Sequence, residues 1–145
     1  MSAGQICSRI MATASPGESI RAAARRMAEY DVGTLVVLKE NRGSHAVGLI
    51  TDRDIAIQCV AHNRNADEVL VSEIMATPVH SIRDDTPIED ALLKMAEAGT
   101  RRLIVTSEGD RVAGILTLDD VLDLLAREAA AIKLLLGKQQ PKVPV

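Results

Sequence analysis

Aromatic residues are almost absent from this chain: Tyr30 stands alone among 145 residues that include no phenylalanine and no tryptophan. A planar ligand therefore finds no stacking platform and must be gripped by aliphatic side chains. Cysteine is equally scarce. Cys7 and Cys59 lie far apart and outside any Cys-x-x-Cys pattern, which argues against a disulfide scaffold and leaves two buried or idle thiols. No two of these cysteines and His45, His62 and His80 share a local metal-ligand spacing, so no metal site is expected. Positive charge is not in excess either; a formal net charge of −3 argues against binding nucleic acid through its phosphates. No apolar run nears the roughly 18 residues of a membrane span, and Met1-Ser2-Ala3-Gly4 lacks the charged start and apolar core of a secretion signal. A cytoplasmic protein with no membrane partner is expected.

What the chain does have is repetition. Val47-Gly48-Leu49-Ile50-Thr51-Asp52-Arg53-Asp54 recurs as Ala113-Gly114-Ile115-Leu116-Thr117-Leu118-Asp119-Asp120. Upstream, Ile20, Met27, Ala28 and Glu29 match Ile88, Met95, Ala96 and Glu97 at an offset of 68, while the glycine motifs match at 66, so the second hairpin loop is two residues shorter. Met11 aligns with Met75, within Arg9-Ile10-Met11-Ala12-Thr13 and Glu73-Ile74-Met75-Ala76-Thr77. With 47% hydrophobic and 26% charged residues the composition is that of a globular protein. Repeats of about sixty residues are marginal alone, which makes a shared core the expected arrangement.

Each copy reads as strand, helix, strand, strand, helix. In the second, Thr86 is the expected cap, Pro87 the first helical residue, Glu89 the partner in a capping box, and Gly99 the stop. In the first, Asp31 stands where Gly99 does, and aspartate tolerates the left-handed end position. The apolar faces, Ile20, Ala23, Ala24 and Met27 against Ile88, Ala91, Leu92 and Met95, mark core helices. Residues 34–38 and 46–50 form one pair of strands and 102–106 and 112–116 another, joined by turn-rich loops at 41–44 and 107–110. Second helices run from Asp52 toward His62 and from Leu118 into an alanine-rich stretch. Residues 63–71 read as a linker, and Lys138 to Val145, with two prolines, as a fraying tail. The fold class is α/β (α+β): two tandem repeats related by a pseudo-two-fold axis, each a three-stranded sheet with two main helices.

Thr51 with Asp54, and Thr117 with Asp120, admit two readings. Threonine followed three residues later by an acid is a helix cap. The same groups at a strand-to-helix turn also suit a ligand: the helix start favours an anion and the carboxylate accepts from a ribose diol. Gly48 and Gly114, three residues before each threonine, let a ligand or another backbone approach closely. Arg53 carries the disfavoured sign for a helix start, which points either to solvation or to an anion nearby.

The tandem order, the block from Gly48 through Thr51 to Asp54, and the block Gly99-Thr100-Arg101-Arg102-Leu103-Ile104-Val105 together resemble a pair of CBS domains, the Bateman module, of the stand-alone bacterial type. The resemblance covers about residues 7–130, with one CBS domain at 7–66, the second at 72–131, and a helix end and flexible tail at 132–145. It implies a regulatory module that senses an adenosine-containing ligand (AMP, ADP, ATP or S-adenosylmethionine) in the cleft between the repeats and signals by conformational change. It implies Asp54 and Asp120 for the ribose. Thr51, Thr117, Arg53, Arg101 and Arg102 fall on the phosphate side. Gly48, Leu49, Gly114, Ile115, Met11, Met75 and Val79 are expected around the backbone and adenine. The basic residue falls in the second copy only, where the first has Gly33 and Thr34. No required cofactor is implied, and neither a nucleophile with its base nor a convergent carboxylate pair marks an enzyme. The excess of leucine and isoleucine between Leu122 and Leu136 predicts a homodimer, alongside an effector protein that the sequence does not name. The competing reading is a structural dimerisation module with vestigial ligand sites.

Overall fold

The computed structural model describes residues 1–39, 42–139 and 143, and for residues 42–44 the backbone only. Asn41 of the expected first loop, and tail residues 140–142, 144 and 145, lie outside the described residues. The elements run α1 (Ala3–Ile6), β1 (Thr13–Ala14), α2 (Ile20–Tyr30), β2 (Thr34–Lys39), β3 (Arg42–Thr51) and α3 (Asp52–Ile55), the last continued by a π-helical turn at Ala56–Val60. They go on with α4 (Val71–Ile74), β4 (Ser81–Arg83), α5 (Ile88–Ala98), β5 (Arg102–Thr106), β6 (Val112–Thr117) and α6 (Leu118–Lys138). Two three-stranded sheets result, ordered β1-β2-β3 and β4-β5-β6, each with one parallel and one antiparallel pair. This is the expected α/β architecture of two repeats.

Strand alternation sorts the side chains. Leu35 and Val37 of β2 join the first core with Ile20, Ala23, Met27 and Ile50, while Leu103 and Val105 of β5 join the second with Ile88, Ala91, Met95 and Leu116. Val36 and Ile104, between them in sequence, are buried outside both core clusters, on the faces that line the clefts described below.

The short helices α1 and α4 lie outside the pattern read from the sequence, and each closes the core of the other half. Ala3 of α1 is buried with Ile88 and Leu116, and Val71 and Ile74 of α4 are buried with Ile20 and Leu35. The apolar part of the expected linker is therefore docked: Val69 joins the first core, and the Ile20 and Val71 amides donate to the Val69 and Glu18 carbonyls at 2.9 Å each. The register of the first segment also differs from the one read off the methionines. Cys7, not Met11, is the counterpart of Met75, since both are the extended C-cap residues of α1 and α4. Met11 instead matches Val79, on the offset of 68 that relates β1 to β4 and α2 to α5.

Helix ends follow their residues. Asp31 and Gly99 close α2 and α5 in the left-handed conformation, with φ of 51° and 64°. The expected capping box at Thr86 is not formed: α5 starts one residue later, Pro87 occupies the cap, and a proline offers no side-chain acceptor. Its counterpart Ser19 does cap, accepting from the Ala22 amide at 3.1 Å. The 107–110 loop folds into a 3-10 turn with Gly109 at φ 75°, and β3 starts at Arg42, inside the loop expected there.

Candidate ligand-binding clefts

Both strand-to-helix turns are built alike. The Asp54 amide donates to Thr51 Oγ1 at 3.1 Å, and the Thr51 amide donates to Asp54 Oδ2 at 2.9 Å. In the second half the Asp120 amide donates to Thr117 Oγ1 at 3.2 Å and the Thr117 amide to Asp120 Oδ2 at 2.8 Å. The capping box is thus complete in both copies. It engages one carboxylate oxygen of each aspartate, and the other accepts nothing among the described residues. Each aspartate is half-buried at the positive end of its helix.

A cleft of about 270 Å3 opens where the halves meet. Repeat two supplies Arg102, Ile115 and Thr117, and repeat one supplies Ile10, Met11, Ala12, Val32, Gly33, Thr34 and Val36. Arg102 stands opposite Thr117 in the β5–β6 register, so guanidinium and hydroxyl share one face of that sheet. Gly33 and Thr34 therefore line the same cleft as the arginine, which comes from the other copy. Beside Gly33 lies the Asp52 carboxylate, whose Oδ2 is 3.1 Å from where a Cβ would stand. Sequence reading had no signal for the involvement of Ile10 or Val32, because what sets them opposite Arg102 and Thr117 is the meeting of the two halves.

Other expected site residues are dispersed. Val79 lines a second cleft of about 310 Å3 with Ala46, Val47, Pro78, Ile104 and Val112. Arg101, at the bend just before β5, lines a separate pocket of about 370 Å3 with Leu92, Met95 and Leu118. Arg53 is exposed on the first turn of α3. Gly48 and Gly114 are covered by protein: an added Cβ would meet Met75 Sδ at 2.6 Å and the Ala76 carbonyl at 3.1 Å in one case, and the Ser8 carbonyl at 2.5 Å in the other. Leu49 and Ile115 bridge to Ala76 and Ser8, so each glycine lets a segment of the other half pair along its strand.

A larger groove of about 720 Å3 shares Ile10, Met11, Ala12 and Val32 with the first cleft and runs out past Glu18, Arg26 and Tyr30. There Arg26 donates from Nη2 to Glu18 Oε2 at 2.9 Å and from Nη1 to the Thr13 carbonyl at 2.8 Å. Burial pushes the Glu18 carboxyl up, but the hydrogen bond from Arg26, the Ser15 amide and the Arg26 charge outweigh it and hold the group below its ordinary value. Burial raises the Cys7 thiol. Among the described residues no helix is long and apolar enough to cross a membrane, and no three His, Cys, Asp or Glu side chains gather as a metal site.

Two α/β repeats that meet across a cleft, with a threonine and an acid at each helix start, define a tandem module of the CBS type. The chain belongs to the CBS domain family, whose profile matches residues 3–59 and again 71–127. It is 32% identical to MK0525 of Methanopyrus kandleri over 86% of this chain and 62% of that protein. It is 34% identical to the CBS domain-containing protein YhcV of Bacillus subtilis over 83% of each. Among solved structures, the CBS domain pair of protein MJ0100, in complex with 5-methylthioadenosine and S-adenosyl-L-methionine, superposes with a TM-score of 0.75 at 27% identity, over 88% of this chain and 98% of that one.

Proposed function

We propose that this chain is a regulatory module that binds an adenosine-containing ligand (AMP, ADP, ATP or S-adenosylmethionine) between its repeats and passes the change in their packing to an effector protein. The observation that carries the reading is the cleft in which Thr117 and Arg102 of one repeat face Met11, Gly33 and Thr34 of the other. Aliphatic walls suit the adenine, Arg102 and the start of α6 suit a phosphate or carboxylate, and the unused oxygen of Asp120 suits a ribose diol. The similar MJ0100 pair, crystallised with two adenosyl compounds, supports that ligand class. A ligand that contacts both halves favours one relative arrangement over others, which is how binding becomes a signal. The module acts by binding rather than catalysis, as a homodimer in the cytoplasm.

One observation favours the structural alternative: both Thr/Asp pairs complete a capping box, which by itself accounts for a threonine and an aspartate at each helix start. A thermal-shift screen against an adenosyl panel separates the readings, because a ligand that binds only the folded state stabilises it by about 2.7 kcal/mol at a hundred times its dissociation constant. The melting temperature is expected to rise with one of these ligands, and the rise to shrink in Asp54→Asn or Asp120→Asn and vanish in the double variant. No shift with any adenosyl compound, or an undiminished shift in the double variant, sinks the ligand assignment.

A further inference from the structure

Helix α6 leaves the domain it belongs to. The CBS match ends at residue 127, yet the helix runs on to Lys138, 21 residues in all and about 30 Å long. From Leu125 onward every described helical residue is exposed. Those residues are not uniformly polar: Leu122, Leu125, Ala129, Ile132 and Leu136 follow one another at alternating spacings of three and four, the repeat of a coiled-coil seam. The four large ones keep 51–62% of their surface in solvent. Asp123 and Arg127, on the opposite face, are ion-paired to each other, as suits a solvent side. Glu128 and Lys133 flank the seam, one on each edge.

We propose that this part of α6 is a self-association element, which joins a second copy of the chain in a parallel two-helix coiled coil. Charge selects the direction. With the seam residues at the two core positions of the heptad, Glu128 and Lys133 take the flanking positions that meet across a parallel pair, five residues apart. Each Glu128 then faces Lys133 of the other copy, twice per pair. An antiparallel pairing sets like flanking positions together, so Glu128 meets Glu128 or Leu135 of the other copy and both contacts are lost. Ala129 at the central layer lets two helices approach closely and leaves a hole at the centre of a larger bundle, which opposes the larger bundles that Leu136 and Ile132 in their core positions otherwise favour. Leu135 borders the seam and gains cover from it; Leu134 falls on the outer face, and the seam gives no account of it. Because α6 starts at Thr117 in the cleft and ends in the seam, one rigid element connects the proposed ligand to the contact between chains. The surface specifies how the proposed homodimer is held, and it stands whether or not the cleft takes an adenosyl compound.

The test uses the full chain. Ile132→Cys is expected to form a disulfide-linked dimer on mild oxidation, and Arg127→Cys, on the outer face, is expected not to. Glu128→Lys is expected to weaken association roughly tenfold at low salt, and the added change Lys133→Glu to restore it. Ile132→Glu is expected to keep the circular dichroism and melting temperature of a single folded chain while its mass by light scattering halves. Three results would overturn the proposal: equal cross-linking at residues 127 and 132, no rescue by the charge exchange, or a mass of one chain or four for the unaltered protein at micromolar concentration. An adenosyl-induced thermal shift that survives in Ile132→Glu separates failure of the seam from failure of the ligand reading.

Discussion

Met75 lies with its sulfur over Gly48, so close that a Cβ on the glycine would stand 2.6 Å from Sδ. Cys7 holds the same place over Gly114, with the backbone carbonyl of Ser8 nearer still, at 2.5 Å from the position of a Cβ. The glycines of the repeated motif thus serve the joint between the halves, where a segment of one copy pairs with the last strand of the other.

That difference predicts unequal costs. Gly114→Ala sets a methyl against a backbone carbonyl, which moves only if the strand pairing opens. Gly48→Ala meets chiefly the end of a methionine, which can turn away, although the Ala76 carbonyl at 3.1 Å still crowds it. Both are expected to destabilise, within the 1–3 kcal/mol range for overpacking, and Gly114→Ala by roughly 1 kcal/mol more. Urea midpoints decide it; a larger loss for Gly48→Ala contradicts the account.

The helix starts give a second contrast. Ser19→Ala removes an acceptor that caps α2 and is expected to cost about 1 kcal/mol, whereas Thr86→Ala removes no cap and is expected to change stability by less than about 0.5 kcal/mol. Equal losses in thermal unfolding would show that the shift of the α5 start to Ile88 misplaces its cap.

Much of this fold is legible in the sequence because the chain states it twice. The glycine-to-aspartate motif, the αL stops at Asp31 and Gly99 and the paired strands at 34–38 and 102–106 are local signals, and each is found where its residues put it. The exchange of α1 and α4 between cores is not legible, since four-residue helices carry no periodicity and Ala3 and Val71 gain meaning only from the opposite half. Two methionines misled the alignment because the true counterpart of Met75 is a cysteine: the place asks for a side chain that fits over a glycine, not for one residue type. The reading that places the ligand between the repeats assigns arginine, threonine and aspartate copy by copy, and nothing local shows that Arg102 shares a cleft with Gly33 and Thr34 of the other copy. Geometry gathers residues from both copies, and Arg101, at the bend before β5, lines a different pocket.

Arg101 and Arg102 are therefore expected to behave differently. On the proposed ligand reading, Arg102→Gln lowers affinity for AMP roughly tenfold and leaves adenosine or 5-methylthioadenosine unaffected, because only a charged group uses the guanidinium. Arg101→Gln changes neither. Calorimetric titration of the three compounds checks both variants, and equal losses for charged and uncharged ligands would remove Arg102 from the anion side.

The pair Glu18–Arg26 supplies the pH dependence. Its counterparts in the second copy are Thr86 and Lys94, so only the first half carries it. Glu18 keeps 20% of its side chain exposed and Arg26 31%, and the pair also ties α2 to the Thr13 carbonyl of β1. Glu18→Gln leaves a largely covered guanidinium without its counter-charge and is expected to cost about 1–2 kcal/mol at neutral pH. The Glu18 carboxyl is held below its ordinary value of 4.5 in the folded chain, so the unfolded chain binds its proton first as the pH falls. The contribution is therefore complete above 4.5, declines as pH drops through the lowered folded value, and is gone below it. Urea midpoints of the unaltered protein and Glu18→Gln, followed from pH 7 to pH 3, are expected to lie a constant distance apart at the start and to converge at the acid end. A gap that stays the same across that range would mean that Glu18 acts through shape and hydrogen bonding alone, and that its charge contributes nothing to the fold.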